Sequence, residues 1–182
     1  MNIALPILSQ HHLAGEICLN VTLVTGLEAQ AWIDNEANIS EWRNLFMAVG
    51  NRQSYLAPAF CRVWYQQYAH QYELIIVTGT NAAGNLCAVM PLARRNNSIT
   101  GAGAAQAEYQ GWLALPDTSR DFFSAAVDML GKRYPQSNIS FKYVLPGAGA
   151  ETLESFSHLN ANAKLVHHLR PIVTTDLDSV RS

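Results

Sequence analysis

The densest cluster of polar and aromatic residues in this sequence is Glu108-Tyr109-Gln110-Gly111-Trp112. A carboxylate beside a tyrosine offers a base and an acid for the acylation of an amine, given suitable pKa values. We therefore take Glu108 and Tyr109 as candidate catalytic residues, and Gln110 and Trp112 as candidate substrate-binding residues. The same residues could instead end a strand whose aromatic rings pack on a sheet, and the sequence alone favours that structural interpretation.

Gly101-Ala102-Gly103-Ala104-Ala105 is a glycine-rich stretch, and Arg95 precedes it. A phosphate cradle would need a helix to begin directly after the glycines, so that backbone N–H groups point at the anion. The sequence soon continues as Tyr109-Gln110-Gly111-Trp112, which is typical of a strand. A plain connection is therefore favoured, with Arg95, Gly101 and Gly103 as the fallback candidates for binding an anionic cofactor.

Histidines and cysteines do not predict a metal site. His11-His12 and His167-His168 are adjacent pairs, and neighbouring residues do not share a face of a helix or strand. No His-x-x-x-His or Cys-x-x-Cys spacing accompanies them. Cys18, Cys61 and Cys87 are widely spaced in apolar stretches, which predicts free, buried thiols in a reducing cytoplasm.

Composition indicates one domain with an unusually uncharged surface. The chain has 182 residues, of which 49% are apolar and 14% charged, with a net charge of −2. A large uncharged patch usually marks an interface, and this net charge favours neither nucleic acid nor an anionic membrane as a partner. The first twelve residues do not resemble a signal peptide, and no apolar run approaches the roughly 18 residues of a membrane span. We expect a cytoplasmic protein.

A predicted β-hairpin stands at the centre of the elements that would position these residues. Residues 74–77 and 86–92 are apolar runs of strand length, and Asn81-Ala82-Ala83-Gly84-Asn85 between them suits a turn. Pro91 cannot donate to a ladder, which predicts a bulge or an edge where the second strand leaves its partner. We expect the rest of the chain to cover this hairpin or to extend its sheet.

Other segments show the period of strands or of helices. Alternating or apolar patterns predict strands at residues 16–24, 109–115, 139–143 and 164–174. Helical spacing predicts helices at residues 27–35, 40–50, 58–70, 118–135 and 153–159. Ser40 is a good N-cap for the second helix, and Pro58 suits the first turn of the third. The residues expected to be most buried are Leu74, Ile76, Val89, Trp42, Trp64, Phe123 and the alternating face from Ile17 to Leu23.

The order of these elements resembles the fold of the GNAT acetyltransferases. That fold is α/β (α+β), with a mixed, mostly antiparallel sheet and helices on both faces. Short motifs resemble one subgroup, the Fem-type and cellulose-biosynthesis-associated acetyltransferase-like proteins, which carry two GNAT-like halves in tandem. These motifs are Trp42 with Leu45, Ser54-Tyr55-Leu56-Ala57-Pro58 with Phe60 and Trp64, Met90-Pro91-Leu92, and Glu108-Tyr109-Gln110-Gly111.

The resemblance covers about residues 21–180 and implies a domain organisation. Residues 1–15 would be an N-terminal tail, and residues 16–175 a single GNAT-like domain. Residues 176–182 would begin a truncated helix, or a linker to a missing second half.

The resemblance also implies a cofactor, and the sequence departs from the family at the place that would hold it. In GNAT proteins the pyrophosphate of acetyl-CoA or another acyl-CoA rests on a loop of pattern Arg/Gln-x-x-Gly-x-Gly/Ala, before the helix that follows the fourth strand. Residues 115–121 occupy that junction here, where Pro116 removes a donor and Asp117 and Asp121 repel phosphate. The second half usually carries acyl-CoA in this family, so we expect no cofactor on this chain itself.

Three hypotheses follow. In the first, the chain is the N-terminal half of an N-acyltransferase that provides scaffold and an acceptor-binding surface for a small molecule or amine. It would be inactive alone and would need its second half as partner. In the second, it is a non-catalytic GNAT-like module for binding or homodimerisation that has lost the cofactor loop. In the third, it is a self-sufficient acetyltransferase with an unusual site around residues 95–103.

Overall fold

The computed structural model describes residues 19–50 and 54–144 of the chain. Helices and strands are interspersed along these residues. The elements are β1 (Asn20–Thr25), α1 (Gly26–Asp34), α2 (Glu36–Ala48), a 3-10 turn (Ser54–Leu56), α3 (Pro58–Tyr68), β2 (Glu73–Thr80), β3 (Leu86–Arg95), β4 (Ser98–Gly101), β5 (Leu113–Ala114), a second 3-10 turn (Pro116–Thr118), α4 (Ser119–Arg133) and β6 (Asn138–Ser140).

The strands form one sheet in the order β1-β2-β3-β4-β6, and β5 also pairs with β3. Each strand pair is antiparallel except β4 with β6, which run parallel and are joined through α4. A parallel pair needs such a crossover, because the chain must return to the same end of the sheet before the second strand begins.

The two faces of the sheet carry different helices. Leu74 and Ile76 of β2 belong to the cluster that packs against α1, α2 and α3, whereas Ile75 and Val77 belong to the cluster around α4. This alternation is the period of two expected of a strand that is buried on both sides. The predicted fold class is confirmed: α/β (α+β), with a mixed, mostly antiparallel sheet and helices on both faces.

β2 and β3 form the predicted antiparallel hairpin, and both strands are longer than the apolar runs that predicted them. Asn81 closes the turn, since its Oδ1 accepts from the N–H groups of Ala83 and Asn85, each at 3.0 Å. Tyr65 fastens α3 to the hairpin by donating its hydroxyl to the Leu92 carbonyl at 2.8 Å. Burial raises the pKa of Tyr65 well above its ordinary value, so the donor stays protonated.

Pro91 lies inside β3 and pairs with Ile76 of β2. On its other side β3 changes partner at this residue, from β5 to β4. The Pro91 carbonyl accepts from the N–H of Ala102 at 2.9 Å, but proline has no N–H with which to return the bond. The strand that leaves β3 at Pro91 is therefore β4 and not β2, and the irregularity between β2 and β3 lies at Gly79/Thr80.

The helix ends follow their capping residues. α2 begins five residues earlier than predicted, because Asn35 is its N-cap and accepts from the Ala37 N–H at 2.9 Å through Oδ1. The prediction of Ser40 as N-cap is wrong, and Ser40 lies inside the helix. The predicted start of α3 at Pro58 and the end of α4 before Pro135 are confirmed.

Several predicted strands have different bounds in the structure. Residues 98–101, expected to be turn and loop, form β4, and the strand predicted at 109–115 is reduced to Leu113–Ala114. The strand predicted at 139–143 is Asn138–Ser140, and the first strand begins at Asn20 in the part that is described. The helix predicted at 153–159, the strand at 164–174, the tails at 1–15 and 176–182, Cys18 and both histidine pairs lie outside the described residues.

The predicted core is confirmed on the central strands and helices. Each of its residues there is at most 4% exposed, namely Leu74, Ile76, Val89, Trp42, Trp64 and Phe123. Leu19, Val21 and Leu23 are only half-buried, because β1 has a neighbour on one side alone among the described strands. Cys61 and Cys87 are free, buried thiols, as predicted.

Candidate functional site

Residues 102–112, between β4 and β5, leave the sheet and begin with tight turns. The Ala104 N–H donates to the Gly101 carbonyl at 3.1 Å, and the N–H groups of Gln106 and Ala107 donate to the Gly103 carbonyl at 2.7 Å and 3.1 Å. A phosphate bound here would need N–H groups aimed at it. The N–H groups of Ala104, Gln106 and Ala107 already have carbonyl partners, so this stretch is a connection closed by its own hydrogen bonds. Binding of an anionic cofactor by Arg95, Gly101 and Gly103, the fallback candidates, stays a prediction.

Gly101 and Gly103 are packing positions. A Cβ on Gly101 would lie 2.9 Å from the Cβ of Gln110, and a Cβ on Gly103 would overlap that of Ala107 and lie 3.2 Å from Phe60 Cε1. Gly103 also has a φ of +95°, which side chains of L-residues disfavour. Protein atoms therefore already fill the space that the two missing side chains leave.

Gln110 is the hydrogen-bonding centre of this region and is 1% exposed. Its Nε2 donates to the Ala104 carbonyl at 2.8 Å, and its Oε1 accepts from Thr100 Oγ1 at 2.9 Å and from the Lys142 N–H at 3.1 Å. Its own N–H donates to the Lys142 carbonyl at 3.0 Å. One side chain thus joins β4, the turn after it and the residues after β6. A substrate would have to break these bonds to reach the amide, and substrate binding by Gln110 stays a prediction.

Replacing Gln110 by alanine is expected to lower the free energy of unfolding by about 2–4 kcal/mol. The change leaves the buried Ala104 carbonyl without its donor, at roughly 1–3 kcal/mol, and removes the acceptor of the part-buried Lys142 N–H, at about 1 kcal/mol. Urea unfolding followed by circular dichroism measures the loss. Gln66→Ala is the matched control, because Gln66 is exposed on α3 and should change stability by no more than about 0.5 kcal/mol. Equal stabilities of the two variants would contradict the role of Gln110 as a structural centre.

Trp112 lies in the core, 6% exposed, where it joins the chain before β5 to α4. Its Nε1 donates to Ser119 Oγ at 3.3 Å, and its ring stacks on Phe123 with centroids 4.5 Å apart. These contacts are with α4, and the ring belongs to the buried cluster that α4 shares with one face of the sheet. A substrate-binding role for Trp112 stays a prediction.

Glu108, Tyr109 and Arg95 lie closer to solvent. Glu108 and Tyr109 are half-buried in a bend, and Arg95 is exposed with its guanidinium 5.9 Å from the centre of the Tyr72 ring. Arg95 pairs with Ser98 at the far end of β4 from Gly101, about 10 Å away at the rise of a strand. The structure brings Glu108 and Tyr109 next to the Gln110 centre, but it does not bring Arg95 to the two glycines.

The start of α4 presents carboxylates to solvent. Asp117, Arg120 and Asp121 are exposed, while Thr118 and Ser119 are buried. The N–H groups of Thr118 and Ser119 donate to the carbonyls of Leu115 and Pro116, which precede them in the 3-10 turn. Two exposed acids and two donors with protein partners make this helix start unfavourable for an anion.

A second polar cluster joins the end of α4 to the central hairpin. Arg94 Nη1 lies 3.0 Å from Glu73 Oε2, and the Tyr134 hydroxyl donates to Glu73 Oε1 at 2.8 Å. Burial, followed by the hydrogen bond and the negative charge of Glu73, raises the pKa of Tyr134 to about 12. With its charges paired and its hydroxyl protonated at neutral pH, this cluster is a structural link between α4 and β2–β3.

A cleft of about 270 Å³ opens between α2, the turn of the hairpin and the residue after β5. Its walls combine three polar side chains with an apolar floor. The lining residues are Glu41, Asn44, Leu45, Ala48, Asn85, Leu86 and Leu115. In the part of the chain that is described, no hydrogen bond or ion pair engages the side chains of Glu41, Asn44 or Asn85.

The sequence did not predict this cleft, although the residues that α2 contributes to it show a helical spacing. Glu41, Asn44, Leu45 and Ala48 are spaced i, i+3, i+4, i+7 and so lie on one strip of α2. The other half comes from residues about 40 to 70 positions further along the chain, which only the folded sheet brings to that strip.

The described ranges, 19–50 and 54–144, lack two kinds of feature. They contain no group of three or more His, Cys, Asp or Glu side chains that could hold a metal ion. They also contain no helix with the length and apolar character needed to span a bilayer.

Comparison with known proteins gives this chain no relative. No protein-family model matches the sequence, no curated protein matches it, and no solved structure matches the fold.

Proposed function

We propose that this chain is a GNAT-like domain of an N-acyltransferase. In this proposal it supplies scaffold and an acceptor-binding surface, while a second GNAT-like half binds most of the acyl-CoA. One observation supports the assignment of acyl-CoA binding to the second half. In the turn after β4, the N–H groups of Ala104, Gln106 and Ala107 donate to carbonyls of the same turn, so they are not free to bind phosphate.

The architecture supports the GNAT-like part of the proposal. A mixed sheet with helices on both faces is the arrangement that the resemblance implies. Within it, β4, α4 and β6 form the one parallel crossover among the described strands. The connection from β4 to α4 is where a phosphate-binding loop would be expected in such a unit.

Electrostatics support the absence of a cofactor site from this half. Acyl-CoA carries several negative charges, so its binding depends on free N–H donors and a positive local field. The turn after β4 offers few such donors, and α4 begins between the exposed carboxylates of Asp117 and Asp121, with Arg120 as the nearby cation.

The chemistry proposed for the complete protein is direct acyl transfer. The acceptor amine loses a proton to a base and attacks the thioester carbonyl, the N–C bond forms, the C–S bond breaks, and the thiolate of CoA takes up a proton. Glu108 as base and Tyr109 as acid are the residues proposed for these proton transfers. Both are half-buried and so keep contact with solvent.

Titration calorimetry with acetyl-CoA tests the proposal that this chain alone does not bind the cofactor. We expect a dissociation constant in the millimolar range or weaker, which is no more than about 4 kcal/mol of binding. Micromolar binding would overturn the proposal. Arg120→Ala and Arg95→Ala would then locate the site at the start of α4 or beside β4, and both side chains are exposed enough to be removed without disturbing the core. Substitutions at Gly101 or Gly103 would not serve, because a side chain there would disrupt packing.

A further inference from the structure

The cleft between α2 and the hairpin turn has the chemistry of a cation site with an apolar floor. Among the described residues that line it, Glu41 carries the only formal charge, and it is negative. Asn44 and Asn85 add carboxamide oxygens, which accept hydrogen bonds. Leu45, Leu86 and the neighbouring apolar residues would cover the carbon skeleton of a ligand.

The position of the cleft on α2 adds a second source of negative potential. Asn44, Leu45 and Ala48 belong to the last turns of this helix, which ends at Ala48 and has no basic residue in its last turn. The C-terminal end of a helix carries a partial negative charge and favours a cation nearby. The helix end and the Glu41 carboxylate therefore act in the same direction, and Arg43, the one basic residue of α2, is not among the described residues that line the cleft.

The number of hydrogen-bond acceptors in the cleft and its volume indicate which kind of cation fits. A primary ammonium group has three N–H donors, and the cleft offers one carboxylate and two carboxamides as acceptors. A cleft of about 270 Å³ has room for more than a single water or a bare metal ion. This is the size of a small organic amine, and an inorganic cation would leave the apolar floor uncovered.

We propose that this cleft binds a small primary amine, whose ammonium group contacts Glu41, Asn44 and Asn85 and whose apolar body lies on Leu45, Leu86 and Leu115. This site goes beyond the proposed acyl transfer and does not depend on it. Acetyl-CoA binding and amine binding are measured separately, so either result can fail while the other stands.

Phenethylamine is a suitable probe, and N-acetylphenethylamine is its uncharged counterpart. We expect phenethylamine to shift the methyl resonances of Leu45, Leu86 and Leu115 in carbon–proton correlation spectra, saturably and with millimolar affinity. The acetylated probe should bind at least about fivefold more weakly, since it lacks the charge that Glu41 attracts.

Glu41→Gln should weaken phenethylamine binding about fivefold or more and leave the affinity for the acetylated probe unchanged. Glu28→Gln is the matched control, because it removes the same charge from an exposed position on α1 outside the cleft and should leave both affinities unchanged. Ala48→Phe should fill the cleft and abolish the shifts. The proposal is overturned by the absence of saturable shifts, by equal affinity for both probes, or by Glu41→Gln binding as tightly as Glu28→Gln.

Discussion

Replacing Ile76 by alanine is expected to lower the free energy of unfolding by about 2–5 kcal/mol. Ile76 is fully buried in β2, where it pairs with Pro91 and faces the layer of α1, α2 and α3. Removing three carbons from such a site forfeits the burial of those atoms and leaves a cavity that its neighbours fill only in part. Denaturant unfolding followed by tryptophan fluorescence gives the loss directly.

Val63→Ala is the matched control for Ile76→Ala. Val63 is also β-branched but is 65% exposed on α3, so its truncation should change stability by less than about 0.5 kcal/mol. A loss at Ile76 as small as that at Val63 would show that the hairpin is not the centre of the fold.

Replacing Gly103 by alanine is expected to lower the free energy of unfolding by about 2–5 kcal/mol. The residue has a φ of +95°, and the added Cβ would overlap that of Ala107 and press on Phe60. The backbone penalty is about 1–2 kcal/mol, and forcing an extra carbon into a packed site adds about 1–3 kcal/mol. Thermal and urea unfolding measure the sum.

Two other glycines separate these contributions. Gly84 has a φ of +82° with no atom within 4 Å of an added Cβ, so Gly84→Ala should show the backbone penalty alone. Gly111 has neither a positive φ nor a close neighbour, and Gly111→Ala should be close to neutral. If Gly103→Ala cost no more than Gly84→Ala, the turn after β4 would not be closely packed.

The local elements of the fold could be predicted because local chemistry determines them. The central hairpin followed from two apolar runs around a turn that the Asn81 side chain closes. The start of α3 followed from Pro58, which suits a first helical turn. The start of α2 was not predicted correctly. Ser40 and Asn35 are both good capping residues, and only the structure shows that Asn35 is the N-cap.

The region after β3 could not be predicted from local pattern. β4 is short and partly polar, and it is a strand because β3 and β6 lie on either side of it. Residues 109–112 include aromatic residues that favour strands, yet they do not form one. The side chain of Gln110 fixes this segment through hydrogen bonds to Thr100, Ala104 and Lys142, where a strand would use backbone ladder bonds. Both outcomes depend on contacts between residues distant in the chain, which propensity does not record.

The candidate sites differ in the same way. The composition of residues 108–112 predicted a candidate site, but it did not predict that Gln110 and Trp112 are buried. The cleft could not be predicted, because Leu86 and Leu115 are distant in the chain from the strip of α2 from Glu41 to Ala48.

Pro91 marks the point at which the pairing of β4 with β3 ends. Opposed antiparallel residues can exchange two hydrogen bonds, but Ala102 only donates one to Pro91, because proline has no N–H to give in return. Continuing the ladder beyond Gly101 would therefore begin with a carbonyl that finds no donor on Pro91. A single imino acid in the central strand thus favours a short β4, and the chain that follows turns away from the sheet.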